Sequence, residues 1–310
     1  MPGLSNFPNG FPGGVAIQGM PVLNTYPGNV FWVNSNVGSD GNKGTRTKPF
    51  ATLDYAIGKC TANNGDIIMV MPNHAETITG AAGIALDVAG VSIVGLGVFN
   101  QRPRFLMDGG TAVSMVISAA DAYVGNLVFA AGHADVVTCI GVTGVGAWID
   151  GCEFVNNVVD ENFVTEIKAT GADNTADGLK ITNCRAITID ASGAEFLEVA
   201  GDLDSLVFQN NFVCKDAGTS CKGILCATGK DLTNALITHN YLISGATSGD
   251  TLVDNDQTAN SGMVAFNSVG AHDVDAAVPI DLSGARCIEN YQVSVDDASG
   301  LLLPAVDDNS

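Results

Sequence analysis

A loosely repeated unit is the feature that most limits what this chain can fold into. From residue 123 onward, a short apolar strand, a small polar corner and a second apolar strand recur, with the corners 23 to 32 residues apart. Such an interval is too long for a hairpin, and the segments between corners lack the helix of a βαβ unit. It fits one coil of three strands and three turns, which predicts an all-β fold, the right-handed single-stranded parallel β-helix. The corners lie at Asn126, Gly151, Asn183, Asn211, Asn240, Asn267 and Asn290.

Asparagine dominates these corners for a physical reason. It tolerates the left-handed backbone conformation that a tight corner needs, and amides stacked in successive coils can hydrogen-bond along the stack. We therefore expect a ladder of corner asparagines. Its members are Asn126, Asn183, Asn211, Asn240, Asn267 and Asn290. The alternative is a β-sandwich whose strands alternate between two facing sheets.

Composition narrows the range of partners. Hydrophobic residues make up 46% of the chain and charged residues 15%, which suits a continuous core under a surface of small polar side chains. The formal net charge is −20, and the basic residues are scattered singly. Nucleic acids and anionic membranes both attract clustered Lys and Arg, so we expect neither as a partner. The first residues also lack the basic start and apolar stretch of a secretion signal.

The eight cysteines do not follow a zinc pattern. Cys152 and Cys184 fall at comparable points of successive repeats, which predicts buried thiols in a stacked core. Cys214, Cys221 and Cys226 lie closer together, and one local disulfide is the alternative there.

The chain divides into four predicted regions. Residues 1–29 form an extended Gly/Pro-rich arm, residues 30–64 a leading segment with a short capping helix, residues 65–295 the β-helix, and residues 296–310 a tail. The arm holds too many apolar side chains for a plain linker, so we expect it to anchor on a neighbouring subunit. The anchoring residues are Phe7, Phe11, Val15, Ile17, Met20, Val22, Leu23 and Tyr26.

The leading segment predicts a lid over the first coil. Pro49 is expected to open the helix at its first position, where a missing N–H costs nothing. Phe50, Leu53 and Ile57 would then share one apolar stripe. The preceding turn, with Asp40, Asn42 and Gly44 in its sequence, is either a bare turn or a calcium loop.

The leading segment carries a resemblance to a known family. WVNSNVGSDGNKGTRTKPFATLDYAI, followed by GDIIMVMP, resembles the start of pectate-lyase-like parallel β-helix proteins. That superfamily includes polysaccharide lyases, hydrolases, epimerases and many phage tailspike and capsid-surface proteins. The overall layout, an unsignalled Gly/Pro-rich arm before an acidic β-helix, resembles virion structural proteins of tailed phages.

The catalytic signatures of that superfamily are incomplete. Its lyases need a Ca²⁺-binding carboxylate cluster beside a basic residue. In this chain, no Lys or Arg of the coils is expected to have an acidic residue at the matching position of a neighbouring coil, so the lyase site is not expected. Its hydrolases carry Gly-His-Gly, whereas this chain has Gly132-His133-Ala134-Asp135. The four histidines are dispersed, and each is expected to be structural.

Two pairs of carboxylates remain candidates for a hydrolytic site. Asp150 with Glu153, or Asp202 with Asp204, could converge as hydrolytic pairs, although surface carboxylates of an acidic protein would look the same. We predict no catalytic residue, no metal and no cofactor.

These observations predict a non-enzymatic virion protein, assembled in the host cytoplasm. The expected role is capsid decoration or a head fibre, as a homotrimer whose N-terminal arm binds other capsid or tail proteins. The alternative is a tailspike-type carbohydrate-active enzyme or a glycan-binding β-helix. Aromatic residues total 6%, with Trp32 and Trp148 the two tryptophans, so sugar-stacking surfaces are expected to be scarce.

Overall fold

The chain winds into a stack of coils, and its strands form three sheets in which equivalent strands of successive coils lie side by side. The computed structural model describes residues 16–17, 20–21, 28–156, 160–170, 172–188, 195–215, 222–244, 253–255, 259–271, 280–294 and 300–302. Equivalent strands of successive coils pair in parallel and in register. The predicted all-β parallel β-helix is therefore confirmed, and the two-sheet sandwich is excluded.

Within the described part of the chain, the three sheets have ten, ten and eight strands. Sheet 1 contains Val30–Val33, Ile67–Val70, Ser92–Gly95, Tyr123–Gly125, Trp148–Asp150, Lys180–Thr182, Val207–Gln209, Ala235–Thr238, Gly262–Ala265 and Arg286–Ile288. Sheet 2 contains Ala75–Ile78, Arg104–Met107, Val128–Ala131, Glu153–Asn156, Arg185–Thr188, Phe212–Lys215, Tyr241–Ser244, Ser268–Ala271, Asn290–Ser294 and Gly300–Leu302. Sheet 3 contains Ile84–Leu86, Met115–Ile117, Val136–Val142, Phe163–Ala169, Glu195–Val199, Lys222–Cys226, Val253–Asn255 and Ile280–Leu282. Leu203–Asp204 and Leu232–Thr233 pair separately, and Phe99–Gln101 is a short 3₁₀ helix.

The core is a set of columns of like side chains. Alternation along each strand sends every second residue inward, and register then stacks the inward residues of successive coils. On sheet 2, Phe105, Phe129 and Phe154 stack with ring centroids 5.9 and 5.6 Å apart. All three are fully buried. Each such ring pair contributes about 0.5–1.5 kcal/mol beyond the burial of its apolar area.

The structure places four of the six predicted ladder residues in one column between sheets 1 and 2. Asn240 shows the pattern: its backbone N–H and its Nδ2 both donate to Oδ1 of Asn267, each at 2.9 Å. Its Nδ2 also donates to the carbonyl of Phe208 at 2.9 Å. The column is buried and consists of Asn211, Asn240, Asn267 and Asn290.

Asn126 and Asn183 belong to the preceding position of the same corner. Both adopt the left-handed conformation, with φ of 57° and 55°. The ladder position of their coils holds Leu127 and Cys184, and the Cys184 N–H donates to Oδ1 of Asn211 at 2.9 Å. The corner thus has two asparagine-favouring positions, one for its backbone conformation and one for its amide.

The capping helix is shorter than predicted and spans Leu53–Ile57. Pro49 lies outside it, because Phe50 is held in an extended bridge to Val33. The Asp40 carboxylate accepts hydrogen bonds from the N–H groups of residues 51 and 52, at 2.8 and 3.1 Å, and from the Thr52 hydroxyl at 3.0 Å. The Asp40 turn therefore fixes the approach to the helix, and Leu53, Ala56 and Ile57 are buried over the first coil.

Most of the predicted anchoring arm lies outside the described residues. Ile17 and Met20 pair within a small antiparallel sheet formed by Ala16–Ile17 and Met20–Pro21. The other six residues, Phe7, Phe11, Val15, Val22, Leu23 and Tyr26, fall outside the described part, and the anchoring role stays a prediction. At the opposite end, Gly300–Leu302 pairs antiparallel with the last coil of sheet 2.

The cysteines at comparable points of successive repeats, Cys152 and Cys184, are buried thiols, as predicted. Burial raises the pKa of Cys152 to about 12, and burial and the neighbouring Cys152 raise the pKa of Cys184 well above its usual value. Cys221 lies outside the described residues, so the alternative of one local disulfide among Cys214, Cys221 and Cys226 stays a prediction. Within those residues, no helix has the length and apolar character needed to span a membrane.

Candidate functional site

The outward face of sheet 1 brings two aromatic rings, a carboxylate and a cation together. Tyr123, Trp148 and Lys180 occupy one outward column in three successive strands. Two residues further along the same strands, Asp150 and Thr182 are register partners. The residues between the two columns point into the core, so the surface is set directly by the alternation of the strands.

Trp148 lies fixed across this face. Its Nε1 donates to the Thr182 hydroxyl at 2.8 Å, and the Tyr123 ring packs edge-to-face with the indole, with centroids 5.1 Å apart and planes at 82°. Thr182 is consequently buried, whereas Trp148 keeps 39% of its surface exposed. An exposed indole held by a hydrogen bond and an aromatic neighbour is a preformed contact surface.

Asp150 is the acceptor that organises the polar part of the face. Its Oδ1 accepts hydrogen bonds from the Thr182 hydroxyl and from Nδ2 of Asn183, both at 2.7 Å. Its Oδ2 accepts from the Tyr123 hydroxyl at 3.1 Å. Burial, together with the Asp150 charge, raises the pKa of Tyr123 to about 12. The phenol therefore remains a protonated donor at neutral pH.

Gly125 makes room for this arrangement. A Cβ atom at Gly125 would lie 2.4 Å from the Tyr123 hydroxyl oxygen and 2.7 Å from the ring. Tyr123 can fold along its own strand toward Asp150 because no side chain stands at that position. The glycine is therefore a condition for the hydrogen bond that joins the aromatic and acidic residues.

Positively charged side chains lie at the border of this face. The Lys180 ammonium lies 5.7 Å from the centroid of the Trp148 ring. Around the corner on sheet 2, Arg185 binds Glu153 at 2.7 Å, and Arg102 binds the other oxygen of Glu153 at 3.4 Å.

The register corrects one expectation about these charges. Arg185 pairs in register with Glu153 of the preceding coil, and Lys168 with Glu198 of the next, so basic residues do have acidic partners at matching positions. Variable turn lengths hid these pairs in the sequence. They are ion pairs, and no group of three or more His, Cys, Asp or Glu side chains suited to a metal occurs among the described residues.

The two candidate carboxylate pairs do not behave as hydrolytic pairs. Asp150 faces outward on sheet 1, while Glu153 lies beyond the corner on sheet 2 and is held by two arginines. Asp204 accepts three side-chain hydrogen bonds, from residues 205, 233 and 234, at 2.6–2.7 Å, and these bonds lower its pKa. Asp202 accepts the N–H of Asp231 at 3.0 Å. Asp202 and Asp204 thus stabilise turns between neighbouring coils.

The described histidines take structural positions. His74 is buried; its Nδ1 accepts from the Ser35 N–H at 3.0 Å, and its Nε2 contacts Glu76 at 3.1 Å. His133 contacts the next carbonyl along the chain. His239 occupies a left-handed corner, as the sequence indicated, and packs on Phe266 at 5.2 Å. His272 lies outside the described residues.

Sequence reasoning singled out Asp150 as a candidate carboxylate but missed the aromatic part of the face. The low aromatic content concealed the fact that Tyr123 and Trp148 are register neighbours. Aligning YVG, WID and KIT by their strand positions would have found the column.

No protein-family model matches this sequence, and no curated protein is significantly similar to it. Among solved structures, a rhamnogalacturonan lyase is 13% identical, with a TM-score of 0.43 and coverage of 89% of this chain and 90% of the other. A GH136 lacto-N-biosidase from Eubacterium ramulus is 13% identical, with a TM-score of 0.42 and coverage of 86% and 68%. A second structure of that biosidase is 11% identical, with a TM-score of 0.38 and coverage of 84% and 68%.

These matches correct one prediction. The expectation that the chain is not an enzyme is wrong on this finding, because each matched structure is named for an enzyme, and it is withdrawn. None of the three names refers to a virion protein, so the relationship to tailed-phage proteins stays a prediction. At these identities and TM-scores, we transfer no substrate and no catalytic residue.

Proposed function

We propose that the protein is a carbohydrate-active β-helix of the tailspike type, and that the outer face of sheet 1 around Trp148 binds a saccharide. The observation that carries the proposal is the exposed indole fixed beside a hydrogen-bonded carboxylate. A pyranose ring presents a face of C–H groups that packs on an aromatic ring, while its hydroxyl groups need polar partners at the ring edge. Trp148 offers the first contact and Asp150, Asn183 and Lys180 offer the second.

The face is suited to a chain of sugars rather than to a single small molecule. It is a sheet surface, and neighbouring strands extend it along the coil axis in steps of about 4.8 Å. Its side chains are positioned before binding, because Tyr123, Thr182 and Asn183 all bond to Asp150. Such preorganisation lowers the entropy lost on binding.

Asp150 is the candidate for a catalytic role at this face, if the face cleaves the saccharide that it binds. Glycoside hydrolysis uses two carboxyl groups about 5–9.5 Å apart, and within the described hydrogen-bond network of this face Asp150 is the sole carboxylate. We therefore assign it first to binding, and measure cleavage separately as the release of reducing ends or unsaturated sugars. Asp150→Asn should remove any such release, because the amide can neither act as a base nor carry the charge.

Binding is testable by tryptophan fluorescence. In a Trp32→Phe background, Trp148 is the single tryptophan. Titration with bacterial capsular and other surface polysaccharides should give a saturable change in its emission. Trp148→Ala should weaken binding by at least about tenfold in a direct calorimetric titration, equivalent to about 1.4 kcal/mol. Val137→Ala, which alters an exposed residue on sheet 3, should leave it unchanged. Equal affinity of the wild type and Trp148→Ala would sink the proposal.

The setting of this activity remains a prediction from the sequence layout. Virion location, assembly in the host cytoplasm and contacts of the N-terminal arm with capsid or tail proteins would make the bound saccharide a host-surface glycan. Detecting the chain in purified phage particles by mass spectrometry would support that setting.

A further inference from the structure

A second surface, distinct from the Trp148 face, carries contiguous exposed apolar side chains. It follows sheet 2 and its corner with sheet 1 through the C-terminal coils. We call it the aromatic stripe. Phe212, Tyr241, Ser268 and Tyr291 form one outward column in register. The stripe consists of the three aromatic residues of that column and of His239, Phe266 and Ile288 beside it.

The rings of the stripe are stacked on one another and on a neighbouring cation. Phe212 and Tyr241 stack face to face, with centroids 5.0 Å apart and planes at 7°. The Arg185 guanidinium covers the other side of Phe212 at 5.9 Å. Phe212 is therefore held between Tyr241 and Arg185. Aromatic and arginine side chains are enriched at the centres of protein–protein interfaces.

The stripe is large enough to form the centre of an interface. Phe212, Tyr241, Phe266 and Tyr291 are 39–49% exposed. With about 200 Å² per aromatic side chain, they leave roughly 350 Å² of aromatic surface in water. The largest apolar patch of a typical monomeric protein is of this size and is often functional, and a stable pair buries about 800 Å² on each partner. The stripe would therefore supply nearly half of the area, as the apolar centre.

Its order along the rod is self-complementary. Arg185, Phe212, Tyr241, Ser268 and Tyr291 occupy five successive strands, about 4.8 Å apart. A two-fold axis through Tyr241 and perpendicular to the rod would set Phe212 opposite the partner's Ser268, a large residue facing a small one. It would also set Arg185 opposite the end of the stripe that carries the partner's Glu289, which is exposed.

Charge also points to a second copy. The net charge of −20 makes two copies repel over most of their surface. The outward column from Phe212 to Tyr291 has no acidic residue, so the repulsion is weakest there. We propose that the aromatic stripe is a self-association surface at which a second copy of the chain docks antiparallel about a two-fold axis. This goes beyond the saccharide site and differs from the homotrimer expected from the resemblance.

The first test is the mass of the full-length protein in solution, by sedimentation velocity over a range of concentrations. The wild type should form a dimer, and Tyr241→Ser should weaken it by at least about 30-fold, since a central aromatic residue is lost on both sides of the interface. Phe99→Ser removes an 89% exposed ring in the 3₁₀ helix, outside the stripe, and should leave the dimer intact. Matching circular dichroism and unfolding midpoints establish that both variants are folded.

Cross-linking tests the orientation. A residue on the two-fold axis meets its own copy, so Tyr241→Cys should form an interchain disulfide on mild oxidation. Tyr291→Cys should not, because antiparallel docking separates the two copies of that position by roughly 19 Å. The wild type, with its native cysteines, is the control for background oxidation. A wild-type monomer, a trimer, or equal cross-linking at both positions would overturn the proposal without affecting the saccharide site.

Discussion

Removing one amide from the buried asparagine column should destabilise the protein far more than removing an amide one residue earlier. Asn240→Ala deletes the Oδ1 that accepts from the Asn211 N–H at 2.9 Å, and the Nδ2 that donates to the Phe208 carbonyl at 2.9 Å. Both groups lie in the buried corner, where an unsatisfied polar group costs about 1–3 kcal/mol. With the lost packing, we expect the free energy of unfolding to fall by about 3–5 kcal/mol.

The matched control is Asn210→Gly, in the adjacent coil and one position earlier in the corner. Asn210 is exposed and has a φ of 56°, a conformation that glycine adopts without strain. Its replacement should change stability by less than about 1 kcal/mol. Urea denaturation followed by far-UV circular dichroism measures both variants. Equal losses for the two would refute the assignment of separate roles to the two corner positions.

Three further predictions concern the site, acid stability and the thiols. Gly125→Ala should displace Tyr123, since the new Cβ would lie 2.4 Å from its hydroxyl oxygen, and should weaken saccharide binding by calorimetry while far-UV circular dichroism stays native. Burial alone would raise the pKa of Asp66, but hydrogen bonds from residues 29, 61 and 64 lower it overall. A lowered folded pKa adds stability above about pH 4, and that stability is lost as the pH falls through the folded value. In Asp66→Asn, the urea midpoint should therefore fall less steeply than in the wild type as the pH drops below about 4, and an unchanged slope there would count against this account. Cys152 and Cys184 should resist maleimide labelling in the folded protein and react only after unfolding, as mass spectrometry of the labelled peptides would show.

The coil architecture could be read from the sequence because its signal is physical and repeated. A corner that needs a left-handed residue and a buried amide favours asparagine in coil after coil, so the interval between corners survives even where turn lengths vary. The sequence does not distinguish the two adjacent positions of a corner, because asparagine suits both of them. Asn126 and Asn183 were therefore placed in the same column as Asn211 although they lie one position earlier.

The site was harder to predict because it depends on register between coils. Tyr123 and Trp148 are 25 residues apart and Trp148 and Lys180 are 32 apart, so no single sequence period aligns them. The predicted start of the capping helix was wrong for a different reason. Pro49 suits the first position of a helix, but the bridge between Phe50 and Val33 keeps the chain extended until Leu53.

Because the corners of successive coils are in register, the rod can lengthen or shorten only by whole coils. Asn211 and Asn240 occupy equivalent places 29 residues apart, so excising residues 211–239 would join two ends that already point the same way. Each whole coil gained or lost alters the rod by about 4.8 Å and carries its own core residues with it. Insertions and deletions that respect this period would change how far the molecule reaches without requiring a new fold.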